Sequence, residues 1–126
     1  MTADTLDRMA PEPISVDDPE DRKILTLARA TRARTRAAEG ASVRDRDGRT
    51  YAAATVELPT LRLSALSLAV AMAVSSGATG LEAAAVSTEA DAVSEDDRQV
   101  IRDFSGAGVP VLLADTHGVA VARVEA

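Results

Sequence analysis

Ser94-Glu95-Asp96-Asp97-Arg98-Gln99-Val100-Ile101, read together with Ser64-Ala65-Leu66, decides how this chain folds. Ser94 and Asp97 have the spacing of a helix N-cap and an acid at the third helical position, where hydroxyl and carboxylate satisfy N–H groups that a first turn leaves free. Glu95 and Asp96 add negative charge at the positive end of the helix dipole. A helix is therefore expected from Ser94 to about Ser105. Upstream, Leu61 to Val74 reads as a second helix, ended by Ser75-Ser76-Gly77, with Leu61, Leu63, Leu66, Leu68, Val70, Met72 and Val74 on nearly every face. A helix apolar all round is expected to be buried on all sides. In a domain this small, that implies a covering subunit.

Working outward, Pro19-Glu20-Asp21 sits where a first helical turn should be, with Asp18 as N-cap, and the helical pattern runs to about Ala38, before Gly40. Ser42 to Arg46 and Thr50 to Glu57 are β-capable runs around Asp47-Gly48, a hairpin signal. Further strands are expected at Leu81 to Ser87, Val109 to Asp115 and Val119 to Val124. The connection Thr116-His117-Gly118 is too short for a crossover, so the last two strands should form an antiparallel hairpin. The order α-β-β-α-β-α-β-β points to an α/β domain, a sheet covered by helices with parallel strands in its middle.

A chain of 126 residues with 46% apolar content is one domain with a single core. Residues 1–18 carry Asp4, Asp7, Glu12, Asp17 and Asp18 with Pro11 and Pro13, and are expected to be a disordered acidic tail before a domain over 19–126. With no cysteine, disulfides and thiolate chemistry are excluded. No export signal opens the chain, so the expected location is cytoplasmic. The 61–74 helix is too short for a bilayer, which needs about 20 residues, so no membrane partner is expected. All 14 basic residues except Lys23 are Arg, and Ala is abundant, a GC-rich, actinobacterial type of composition. Arg22, Arg29, Arg32 and Arg36 share one helix face that could meet RNA or another polyanion. The net charge of -6 and the scarcity of aromatics favour a solvated outer face instead.

Several landmarks recur in a particular order: Gly40-Ala41-Ser42-Val43-Arg44, Asp47-Gly48-Arg49, Val56-Glu57, Ala73-Val74-Ser75-Ser76-Gly77, Ala84-Ala85-Val86, Arg98-Gln99-Val100-Ile101 with Asp103-Phe104, and Val109-Pro110-Val111-Leu112-Leu113. In order and spacing, residues 22–124 resemble the small cytidine deaminases. The resemblance implies a three-layer α/β/α fold with a five-stranded mixed sheet, and homotetramers with helices at the centre. In that family the two opening segments read Cys-Ala-Glu (or His-Ala-Glu) and Pro-Cys-x-x-Cys-Arg-Gln-Val; His or Cys and two Cys hold a zinc that activates water, while the Glu shuttles protons.

Carried over by position, the first ligand is Ser64, the proton shuttle is Leu66, and the paired cysteines are Ser94 and Asp97. Leucine moves no proton, and neutral serine hydroxyls are poor zinc ligands. Thr55-Val56-Glu57 stands where the family's Asn-x-Glu holds ribose, and the stacking aromatic falls near Ala37. The loop from Glu57 to Ser64 is shorter than the family's. The arginine that balances the thiolates is Ser67 here.

The expected function is therefore that of a catalytically inactive cytidine-deaminase-like protein. It would act by oligomerising, as tetramer or dimer through helix 61–74, or by binding a protein or RNA-associated partner through Arg29, Arg32 and Arg36. One alternative is a nucleoside deaminase, hydrolysing the C–N bond of a cyclic amidine with zinc held atypically by Asp97. Another is a nucleoside-binding protein without turnover, with Thr55 and Glu57 on the sugar. His117, the sole histidine, lies in a turn where polar residues are ordinary, and Tyr51 and Phe104 are expected in the core.

Overall fold

A computed structural model describes residues 12–126. Helix α1 spans Pro19–Thr35, followed by strands β1 (Gly40–Asp45), β2 (Thr50–Ala54), β3 (Val56–Glu57) and β4 (Arg62–Leu63). Helix α2 is Ala65–Ser75, β5 Leu81–Ser87, α3 Glu95–Ser105, β6 Pro110–Ala114 and β7 Ala120–Glu125. Five strands form the main sheet in the order β2-β1-β5-β6-β7. Only β5 and β6 run parallel, joined through α3, while β6 and β7 form the expected antiparallel hairpin.

The period-two alternation of the strands assigns their side chains to two cores. Ala83, Ala85, Leu112, Ala114 and Ala120 pack under Ile24, Leu25 and Ala28 of α1. On the other face Ala41, Val43, Ala53, Ala84 and Val111 meet Leu66, Ala69, Val70 and Ala73 of α2 and Ile101 of α3. The result is the three-layer α/β/α arrangement. Alanine-rich strands let the helices lie close, and at Gly40 a Cβ would stand only 2.1 Å from the Ala28 carbonyl oxygen. Glycine is required where α1 crosses β1.

Three boundaries differ from the sequence reading. Helix α1 stops at Thr35, not near Ala38, because Arg36 adopts a left-handed conformation (φ 54°) that ends the helix. The strand expected over Thr50 to Glu57 breaks at Thr55, whose N–H and hydroxyl bond the Glu39 carbonyl. Beyond the break Val56–Glu57 leaves the main sheet and pairs with Arg62–Leu63 as a small separate hairpin. That pairing takes the residues expected to open helix 61–74, so α2 begins at Ala65 with Ser64 as its N-cap.

Burial of that helix is also one-sided. Ala65, Leu66, Ala69, Val70 and Ala73 are buried, but Met72 and Val74 are 37% and 49% exposed. Of the expected acidic tail, residues 1–11 lie outside the described residues. Residues 12–18 run extended on the domain, where the Ile14 N–H bonds the Ala120 carbonyl and the Arg22 guanidinium holds the carbonyls of Val16 and Asp17. No helix among the described residues is long and apolar enough to cross a membrane.

Two buried charged groups anchor β1, Arg44 to the helix layer and Asp45 within the sheet. Arg44, 7% exposed, bonds Asp21 of α1 at 3.1 Å and Glu82 of β5 at 3.0 Å. Burial works to lower the Arg44 pKa, and the Glu82 and Asp21 carboxylates outweigh it, leaving it raised. Asp45, 2% exposed, accepts the N–H groups of Asp47 and Arg49 across the β1–β2 turn and the Tyr51 hydroxyl at 2.8 Å. Burial alone would raise the Asp45 pKa; the Tyr51 hydroxyl, the two turn N–H groups and the Arg49 charge together hold it below the usual carboxylate range.

Removing one partner of a buried ion pair leaves the other uncompensated, so Arg44→Ala should lower unfolding free energy by about 3 kcal/mol in urea titration. Because Asp45 titrates lower in the folded than in the unfolded chain, its contribution is complete above the unfolded carboxylate range. It is lost as pH falls through the folded value. Asp45→Asn should lower stability at neutral pH and flatten the acid limb of the stability curve, measured by chemical denaturation between pH 7 and pH 3.

Candidate functional site

The two helix N-termini come together. The Ser64 hydroxyl accepts the Ser67 N–H (3.1 Å) as N-cap of α2 and donates to the Asp97 carboxylate in the first turn of α3 at 2.5 Å. Such a short O–H···O⁻ bond belongs to the strong, charge-assisted class. Asp97 is 8% exposed, and two helix dipoles present their positive ends to it. Its own N–H is accepted by the Ser94 hydroxyl at 3.2 Å. Half of the expected capping pair is thus present, while the carboxylate turns to Ser64 of the other helix. Ser67 adds a hydroxyl contact of 2.8 Å to the Ser64 oxygen.

Leu66, in the first turn of α2, is fully buried among the apolar side chains between α2, α3 and the sheet. Its side chain carries no titratable atom. Two oxygen ligands on one tetrahedral zinc, each about 2 Å from the ion, stand roughly 3.3 Å apart. Ser64 Oγ and Asp97 Oδ1 are instead 2.5 Å apart and bonded to each other. Two neutral hydroxyls and one engaged carboxylate do not fit the ion. Among the described residues no group of three or more His, Asp or Glu side chains is arranged to hold a metal.

The space beside this closed junction is open. A depression of about 520 Å³ is lined by Arg32, Glu39, Thr55, Glu57, Arg62, Ser64, Thr88 and Glu89, with Ala38, Val56 and Leu63. The six positions marked by sequence therefore separate: Thr55, Glu57 and Ser64 line the groove, and Leu66, Ser94 and Asp97 do not. Sequence reasoning missed Glu39 and Thr88, whose carboxylate and hydroxyl bond along the groove wall at 2.7 Å. They are 49 positions apart, and only the β1–β5 pairing brings them together.

The arginines of α1 do not form one free face. Arg22 is engaged with the extended segment, and the Arg29 side chain lies over Gly118. Arg32 donates to the Ala38 carbonyl and reaches Glu89 at 3.9 Å, and Arg36 lies beyond the helix end. At the start of α3, a side-chain bond from Arg102 and its charge hold the Glu95 carboxyl below its usual range. His117 is exposed in the β6–β7 turn, where its N–H bonds the Asp115 carboxylate. Tyr51 and Phe104 are partly buried against the α2–α3 core.

A family model described as cytidine deaminase-like matches residues 17–118. No curated protein matches the sequence. Among solved structures, the cytidine deaminase of Burkholderia pseudomallei is 22% identical with a TM-score of 0.71, over 81% of this chain and 89% of that one. The cytidine deaminase of Mycobacterium leprae is 19% identical (TM-score 0.63, 77% and 89%). That of Mycobacterium tuberculosis is 24% identical (TM-score 0.62, 76% and 85%). At these identities the likeness to the solved structures is one of fold. With a mixed sheet between one helix and two, the paired helix starts in place and most of its length matched by the family model, the chain belongs to the cytidine deaminase-like family.

Proposed function

We propose that this chain is a non-catalytic member of its family that works by binding, in the first place to further copies of itself through the exposed face of α2 and α3. The observation that carries this reading is the Ser64–Asp97 bond beside a buried Leu66. Hydrolytic deamination of the family's kind requires an activated water and a group that moves protons. The residues at those positions supply neither. Assembly is favoured by an apolar surface that a single chain leaves uncovered: Ala71 and Val74 of α2, beside Val100 and Phe104 of α3. A partner surface on Arg29, Arg32 and Arg36 is less favoured, since two of the three are engaged within the chain.

A second reading has support from the groove. Its hydroxyls and mixed charges around Thr55 and Glu57 suit a small polar ligand, so nucleoside binding without turnover is compatible with the closed junction. In this reading Glu57 holds the sugar.

Purified protein should contain no stoichiometric zinc by elemental analysis and should not convert cytidine to uridine; a metal-loaded, active preparation would overturn the proposal. Because the two helix starts are already in contact, Ser64→Cys/Ser94→Cys/Asp97→Cys should gain about one zinc per chain. Thermal shift with cytidine and uridine, compared between wild type and Glu57→Ala, tests the second reading: a shift lost in the variant supports it, and no shift in wild type sinks it. For assembly, sedimentation velocity at micromolar concentration should give a multiple of the chain mass. Val74→Asp should reduce that mass to a single chain.

A further inference from the structure

The charged side chains that line the groove beside the junction do not balance. Arg32 reaches Glu89 at 3.9 Å. Glu57 and Arg62 are register partners across the β3–β4 hairpin, so both side chains stand on one face, where opposite charges attract. Glu39 is the charge left over. It makes no ion pair among the described residues, and its carboxylate bonds only the neutral Thr88 hydroxyl, at 2.7 Å.

That carboxylate is held in place from two sides. Thr55 fixes its backbone: the Thr55 hydroxyl accepts the Glu39 N–H at 3.0 Å, and the Thr55 N–H donates to the Glu39 carbonyl at 3.1 Å. Thr88 fixes the side chain. Because Thr88 Oγ accepts the Ala90 N–H at 3.0 Å, its own hydrogen is left for Glu39 Oε2. No donor among the described residues bonds the second oxygen, Oε1.

Resting on the reading of the groove as a small-ligand site, we infer that its ligand carries a cationic N–H head, a protonated amine or an amidinium, which binds the Glu39 carboxylate. A carboxylate bonds a charged donor more strongly than a neutral one, and a carboxylate already positioned loses little freedom when the ligand arrives. An anionic head is disfavoured, since three carboxylates face two guanidiniums around the groove and Arg32 Nε is already bound to the Ala38 carbonyl at 3.1 Å. Ala38, Val56 and Leu63 offer apolar wall to a short aliphatic portion, and none of the lining residues is aromatic. The volume of about 520 Å³ is that of a small-molecule site.

Acetamidinium and acetamide have nearly the same shape and differ in charge, so titrating each into the wild-type protein by two-dimensional amide NMR tests the head directly. Acetamidinium should shift the amide signals of Glu39, Thr55 and Thr88, with a Kd at least about tenfold below that of acetamide. Glu39→Gln keeps an acceptor for Thr88 and removes the charge, and it should abolish that preference. Equal affinities in wild type overturn the inference. So does a preference that Glu39→Gln keeps and Glu57→Ala loses, which seats the cation on Glu57. Binding of cytidine or uridine that depends on Glu57, without any amidinium preference, leaves the groove a ligand site and overturns only its selectivity for a cation. If none of the four compounds binds, both readings fall.

Discussion

The hydrogen bond from Ser64 to Asp97 is the constraint on which the functional end of this molecule depends. It joins two helix N-termini that would otherwise present like partial charges to each other. A single carboxylate, held at 2.5 Å by the cap of α2 and anchored in the first turn of α3, answers both. The polar groups at the meeting point are engaged with one another rather than with an ion. Leu66 then completes the apolar layer below.

The replacements form a set. On the proposed reading, the positions that the resemblance gives to a soft ligand or a mobile proton carry a cap, an internal hydrogen-bond partner or a packed leucine. Changing only one position would have left a buried acid without a partner or a cavity beneath two helix starts, and either costs stability. Changing them together leaves a satisfied junction. The neighbouring groove is under no such constraint. Glu39 bonds both Thr55 and Thr88 along its wall, and the groove is polar and open beside the closed position.

On the proposed non-catalytic reading, function lies at the surface. The face of α2 turned from the sheet keeps large apolar side chains, although the helix is already anchored by Ala65, Leu66, Ala69, Val70 and Ala73. Met72 and Val74 are not needed for that anchoring. Together with the leucines of the β3–β4 hairpin they make up much of the exposed large apolar surface among the described residues. A domain bound together by so many alanines has little reason to place its larger side chains in water unless something covers them.

Much of the fold was legible in the sequence because its signals are local. Asp18 and Ser94 as caps, Gly48 in the first turn and the β-capable runs of β1 and β5 each act within a few residues. The three-layer arrangement follows once α3 must cross from β5 to a parallel β6. The residue types at the two helix starts were legible too, since Leu66 carries no titratable group. The misplaced boundaries have long-range causes: the Thr55–Glu39 bonds redirect β2, and the hairpin it releases delays α2 to Ala65.

By itself, then, the sequence determined the element order, the family resemblance and the residue types at the two helix starts, all of which depend on residue type and short spacing. Only the tertiary structure decided that Asp97 bonds Ser64 instead of its own helix start, that the groove is open while the junction is shut, and which face of α2 meets water. Each of these depends on distances between residues remote in sequence. Those distances are set by how the helices pack on the sheet.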